Sequence, residues 1–303
     1  MVPINGGPIR NPEYPRVATP AIPIPGSIPG ILLALLKSIG TVFDSPKPKQ
    51  ANPNHAPSKL SENSPTNNPK KIVQDSKSII VHLTMFGLSI DKNVEEIKKY
   101  AEKSEDSFGK SISNLAKKFN LSIIYGYPEL EGGKLYNSAQ CFDSKGASLI
   151  NHRKTVLPKT SNENEIFYPG QKNSIFSIAG LKISLVICYE LEFPEIIRNA
   201  AFNKINLVIA LTGQSDQWPA AARYISRSRA FENGVFVAYA NSCGKNNGIN
   251  FMGESKIINP KGLDVVYAKD KEELIIGDID LNIINSVRER LPYLDDISKI
   301  KNS

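Results

Sequence analysis

Leu181–Glu195 reads LKISLVICYELEFPE. Leu181–Ile187 is a strand-length run dominated by large aliphatic and β-branched side chains. A helix is predicted from Pro194, because the first helical position tolerates proline, whose missing N–H would have no partner there. Cys188 therefore falls on the sharp turn between strand and helix, with its sulfur presented outward. A lone cysteine is most often a small buried hydrophobe. The reactive reading of Cys188 depends on its neighbours.

Outward from this turn, strands and helices alternate. Upstream, Ile79–Leu83 reads as a strand, Asn93–Lys103 and Gly109–Phe119 as helices, and Leu121–Tyr127 as a strand. Tyr136–Phe142 and Ala147–Arg153 pair as a hairpin across the Asp143–Gly146 turn, and Ser174–Ile178 pairs with Leu181–Ile187 across Ala179-Gly180. Downstream come a helix at Pro194–Asn203, a strand at Leu207–Leu211, a helix at Ala220–Asn233 and a strand at Val235–Ala240. A late hairpin follows, Gly253–Asn259 with Leu263–Ala268. Crossovers mixed with hairpins predict a layered α/β protein with mixed sheets.

The first part of the chain is different. Fourteen of the 21 prolines lie in residues 1–78, and proline interrupts both helices and sheet ladders. This stretch reads as extended, loop-like or disordered, apart from Gly30–Phe43 (GILLALLKSIGTVF), which reads as a short amphipathic or core-docked helix. With Lys37 in its middle it is too short to span a bilayer, which takes about 20 apolar residues. The net charge of +7 is concentrated here too. Residues 1–78 hold 9 basic and 4 acidic residues, against 28 and 26 in the other 225. The excess is a basic leader and not a basic face, so neither a nucleic-acid partner nor a membrane is expected. Three scattered cysteines and three histidines, without CxxC spacing, argue against a disulfide framework or a zinc site and favour a reducing, cytoplasmic setting.

Several stretches together resemble the nitrilase superfamily of carbon–nitrogen hydrolases. Cys188-Tyr-Glu-Leu-Glu-Phe-Pro-Glu195 is similar to its nucleophile motif, His152-Arg-Lys-Thr-Val-Leu157 to its lysine motif, and Glu163-Asn-Glu-Ile-Phe-Tyr-Pro-Gly170 to its ExxxFxPG stretch. Arg229–Asn233, Tyr239–Asn241 and Gly253–Ser255 follow in the family's order. The resemblance covers about residues 68–296 and implies a four-layer α-β-β-α sandwich of two mixed sheets. It also implies a small amide substrate, a homo-oligomer, and no cofactor or metal. Residues 1–67 would be an atypical leader, 68–296 the hydrolase domain and 297–303 a tail. Cys188 would attack the amide carbon and form a thioester. Lys154 would favour the thiolate and stabilise the oxyanion, and the Tyr189 backbone N–H would be the second oxyanion donor. Glu163 would orient Lys154 and substrate. Tyr189, Glu190 and Thr212 are the implied substrate contacts. Tyr189 after the cysteine favours amide over nitrile, since nitrilases of this family usually carry tryptophan there.

One departure bears on turnover. The family's general-base glutamate aligns with Thr84 in Ile79–Ile90, and threonine has no usable pKa near neutrality. A positioned general base typically contributes about 10²–10⁴-fold. His82, on the same strand face, and Glu129, expected near an exposed strand end, are the candidate substitutes. The alternative is a catalytically impaired relative that binds its amide or is acylated without turning over, because Thr84 replaces the general-base glutamate. The family's first strand is expected near His55–Asn63, which is polar and a poor central strand.

Overall fold

Alternate faces of the apolar runs are buried in different layers. The chain, as a computed structural model, is described at residues 31–36 (main chain only), 79–82, 94–172, 174–246, 248–271 and 274–300. The first sheet starts with β1 (Ile31–Leu36), β2 (Ile79–His82), β3 (Ser122–Glu131), β4 (Lys134–Phe142) and β5 (Ser148–Arg153). The second contains β6 (Ser174–Ile178), β7 (Leu181–Ile187), β8 (Leu207–Thr212) and β9 (Phe236–Asn241). After a separate hairpin of β10 (Cys243–Asn246) and β11 (Ile249–Met252), it gains β12 (Lys256–Ile258) and β13 (Asp264–Tyr267). Finally β14 (Leu274–Ile279) returns to the first sheet. The strand orders are β14-β1-β2-β3-β4-β5 and β13-β12-β9-β8-β7-β6. Helical crossovers make β2–β3, β7–β8 and β8–β9 parallel, while the hairpin pairs are antiparallel.

Packing defines four layers. Between the sheets, Ile79, Val81, Ile124 and Cys141 meet Ile183, Leu185, Ile187, Ile209 and Phe236. Val186, Val208, Ala210 and Val237 point the other way, onto Ile197, Ala200 and Ala230 of the helices Pro194–Phe202 and Ser226–Asn233. On the far side, Ile123, Tyr125 and Phe142 cover Ile112 and Ala116 of the helix Ser107–Phe119. This is the expected α-β-β-α sandwich. Every residue of β8 is buried because both of its faces are covered, which explains its unbroken apolar sequence. The carboxyl ends of β7, β8 and β9 lie side by side, with Ile187 opposite Leu211 and Thr212 opposite Asn241. Open α/β sheets bind ligands at such an edge.

The N-terminal reading needs correction. Within Gly30–Phe43, expected to be helical, Ile31–Leu36 is strand β1, paired antiparallel to β14 and parallel to β2. A short run apolar at every position suits a doubly covered strand as well as a helix, and pairing partners decide between them. β1 takes the place beside β2 that was expected of His55–Asn63, a segment outside the described residues. The boundary expected at residue 67 thus does not separate β1 from the sheet, and the helix Tyr293–Ile300 runs past residue 296.

Ala34 pairs with Ile276 on one side and Ile80 on the other, so its strand is interior to the ladder. A proline there cannot donate to the sheet. Ala34→Pro, or a chain starting at residue 37, should therefore unfold at clearly lower urea than the full chain or fail to stay soluble. Unchanged urea midpoints would show that β1 contributes nothing.

Candidate active site

Cys188 is set by the end of β7. It has φ +50°, in the left-handed region that side chains disfavour, and it opens the tight turn Cys188–Glu192, which leads into the helix at Pro194. Cys188 is half-buried as a residue and packs against the inter-sheet core. Burial pushes the thiol above its ordinary pKa. The Lys154 charge and a hydrogen bond from the Gly213 backbone pull it down, while the Glu163 and Glu192 charges push it up.

Lys154 follows β5 directly. Its backbone N–H donates to the Asn137 carbonyl at 2.8 Å, and its own carbonyl accepts from Gly170 at 2.8 Å. The side chain is fully buried, and Nζ reaches both Glu163 oxygens at 2.9 and 2.8 Å. Asn137 Nδ2 adds a bond of 3.3 Å to that carboxylate. Glu163 begins the short helix Glu163–Ile166, and the loop closes at Gly170, where a Cβ would lie 2.1 Å from the Arg153 carbonyl oxygen. Only glycine allows that approach. The structure thus brings the buried Lys154–Glu163 pair within electrostatic reach of Cys188.

Two of the expected substrate contacts are bonded within the protein. Glu190 is fully buried, and its carboxylate accepts from Ile187 N (2.7 Å), Thr155 N (2.7 Å) and Thr155 Oγ1 (2.6 Å), and pairs with His152 Nε2 at 2.8 Å. Burial would raise its pKa, but the His152 and Thr155 contacts outweigh that and lower it. Thr212 is also buried, its hydroxyl donating to the Ala240 carbonyl at 2.9 Å and to Asn241 Oδ1 at 3.0 Å. Glu190 thus satisfies polar groups of the Cys188 turn, and Thr212, at the end of β8, bonds to the end of β9. Tyr189 remains half-buried, its ring edge-on to Phe193 with centroids 4.9 Å apart.

Of the substitute bases, Glu129 is buried and not exposed. It is held by Arg153, by Ser138 Oγ at 2.6 Å and by Asn151 Nδ2 at 3.0 Å, and these bonds lower its pKa against the opposing effect of burial. An anion so thoroughly paired is a poor proton acceptor. Thr84 and the His82 side chain lie outside the described residues. Three participants were not singled out from the sequence. Gly213 offers no motif. Glu192, on the Cys188 turn, has a carboxyl that burial raises in pKa, with Lys154 and Arg229 opposing. Arg229, quoted only as part of a landmark, donates to the carbonyls of Leu191 (3.0 Å) and Glu192 (2.6 Å) and so pins that turn. Among the described residues no cluster of three or more His, Cys, Asp or Glu side chains could hold a metal ion.

Residues 79–289 match the family described as Carbon-nitrogen hydrolase. A Pseudomonas protegens protein called "Hydrolase in pqqF 5'region" is 33% identical over 72% of this chain and 77% of its own length. The 2-oxoglutaramate amidase of Bacillus subtilis is 30% identical over 68% and 79%. Among solved structures, an amidase from Nesterenkonia sp. superposes with a TM-score of 0.61 at 21% identity, covering 86% of this chain and 95% of that one. Saccharomyces cerevisiae Nit3, of the nitrilase superfamily, gives 0.65 at 26% identity, covering 74% and 84%.

The buried ion pair has a testable cost structure. Removing one partner of such a pair typically destabilises by about 3–5 kcal/mol, because the other charge is left uncompensated. Glu163→Leu should show a loss of that order in urea unfolding. Adding Lys154→Met should restore most of it. A double variant no more stable than the single one would mean that packing, and not charge pairing, holds this loop.

Proposed function

The chain belongs to the carbon–nitrogen hydrolase family, and on that footing we propose that it hydrolyses a small carboxamide to the acid and ammonia through a thioester on Cys188. The observation that carries this reading is Cys188 on its left-handed turn within reach of the buried Lys154–Glu163 pair. Sulfur attacks the carbonyl carbon, and the C=O electron pair moves onto oxygen. The Lys154 ammonium and the Tyr189 backbone N–H stabilise that oxyanion, with Glu163 holding Lys154 in place. The proton that leaves the thiol on attack is passed to the nitrogen, so that collapse breaks the C–N bond and releases ammonia. Water then cleaves the thioester to give the acid and restore the thiol. Amide is favoured over nitrile by Tyr189 and by the amidase names among the relatives.

Burial pushes the Cys188 thiol above its ordinary pKa, so both steps call for a proton acceptor. Thr84, at the position where the family resemblance places glutamate, favours the second reading, a protein that is acylated but turns over poorly. Self-association through the outer helices is supported by Tyr224, 69% exposed, and by the exposed Phe231, with the equally exposed Trp218 in the loop just before them. Three reduced thiols fit a cytoplasmic setting. No helix among the described residues is long and apolar enough to cross a membrane.

Ammonia release from short aliphatic amides tests the reaction. Cys188→Ala should abolish it, and Thr84→Glu should raise it, with a ceiling of roughly 10²–10⁴-fold. Release that survives Cys188→Ala would overturn the thioester route. No gain from Thr84→Glu, in a folded protein whose Cys188 still alkylates, would show that the missing carboxylate is not limiting. Tyr224→Glu with Phe231→Glu should shift the light-scattering mass of the full chain toward the monomer. An unchanged mass would place any self-association elsewhere.

A further inference from the structure

We infer that Glu190 is a positioning residue that locks the Cys188 turn to the strand end bearing Lys154, and so sets the distance between thiol and ammonium. This rests on the reading of Cys188 and Lys154 as a working pair. The two groups come from different sheets: Lys154 follows β5 of the first, and Cys188 follows β7 of the second. Nothing in the ladders fixes one against the other. Among the described residues, the hydrogen bonds joining 152–155 to 187–192 all end on the Glu190 carboxylate. Its fourth bond, from Ile187 N, ties it to the residue just before Cys188, and Thr155 is the residue just after Lys154. The carboxylate therefore bridges the immediate chain neighbours of both reactive side chains.

The chemistry of the position asks for a carboxylate. An ionised carboxylate only accepts and offers about four lone-pair sites. Here it meets the two backbone N–H groups, the Thr155 hydroxyl and a ring nitrogen of His152, which fills those sites. Because the carboxylate only accepts, His152 Nε2 carries a proton, and Nδ1 lies 3.1 Å from Ser174 Oγ, extending the tie to β6. A glutamine would turn N–H bonds toward N–H donors and lose part of the bridge. The buried site leaves no water to replace what is lost. Glu190 does not touch the reacting atoms, so its effect has to pass through geometry.

The pH dependence of Cys188 alkylation by iodoacetamide, followed by peptide mass, reads that geometry without requiring turnover. Lys154, Glu163, Glu192 and Tyr239 act on this thiol, and Glu190→Gln and Thr155→Val leave all four in place; the carboxylate charge that Glu190→Gln removes would by itself lower the midpoint, so a rise reads geometry. If Glu190 holds Lys154 close, Glu190→Gln should move the alkylation midpoint up by about one pH unit, roughly tenfold slower at neutral pH, with the alkaline plateau unchanged. Thr155→Val keeps the backbone bond, loses only the hydroxyl, and should move it the same way by roughly threefold. Ile257→Val, a core change far from the bridge, should lower stability without moving the midpoint. Folded Glu190→Gln and Thr155→Val proteins with the unaltered midpoint would overturn the proposal. If Glu190→Gln does not fold, Thr155→Val alone decides. Lys154→Met alone separates the two readings, since it removes the charge that lowers the thiol and keeps the Glu163 charge that raises it: an unmoved midpoint in that folded variant would mean that Lys154 never influenced Cys188, and the pairing itself would fall.

Discussion

A buried ammonium has to be paired, and that requirement organises the end of the fold that carries Cys188. Lys154 has no solvent to charge against, so Glu163 must come to it, and the loop from residue 155 to Gly170 is shaped to bring it there. The loop closes on the Lys154 carbonyl, and the tight approach at Gly170 follows from that closure. Once paired, the lysine charge acts on a thiol that burial alone would leave protonated. Cys188 thus lies in the field of a charge pair belonging to the opposite sheet, and the proposed site requires the sheets to be held in register.

That dependence explains the polar network beneath the site. Glu190, His152, Thr155 and Ser174 link β5, β6 and the Cys188 turn, and they bond to one another and to Ile187 N. Arg229 adds a second anchor, from the helix side, on the carbonyls of Leu191 and Glu192. The Cys188 turn is therefore held from in front by Glu190 and from behind by Arg229. A non-glycine residue in the left-handed region persists only where its surroundings over-determine it.

Much of the fold was legible because its signals are local. The apolar run of β7, Pro194 at the helix start, and the hairpins at Asp143–Gly146 and Ala179-Gly180 need no distant information. β1 was not legible, since ILLALL is apolar at every position and only pairing with β14 and β2 distinguishes strand from helix. In the site, the motif spacing led to Cys188, Lys154 and Glu163. The purpose of Glu190, Thr212 and Glu129 was hidden, because a carboxylate or hydroxyl in a motif looks the same whether it faces a ligand or a backbone N–H. Gly213 contributes through its main chain, which side-chain identity cannot reveal.

The central claim is that Cys188 carries the acyl group between the two half-reactions. Rapid acid quench of the full-length protein with a short primary amide, followed by peptide mapping, tests it most directly. The expected result is an acyl group, the amide less ammonia, on the peptide containing Cys188 and on no other cysteine. An acyl group on Cys141 or Cys243 instead, or ammonia released with Cys188 unmodified at every quench time, would contradict the account.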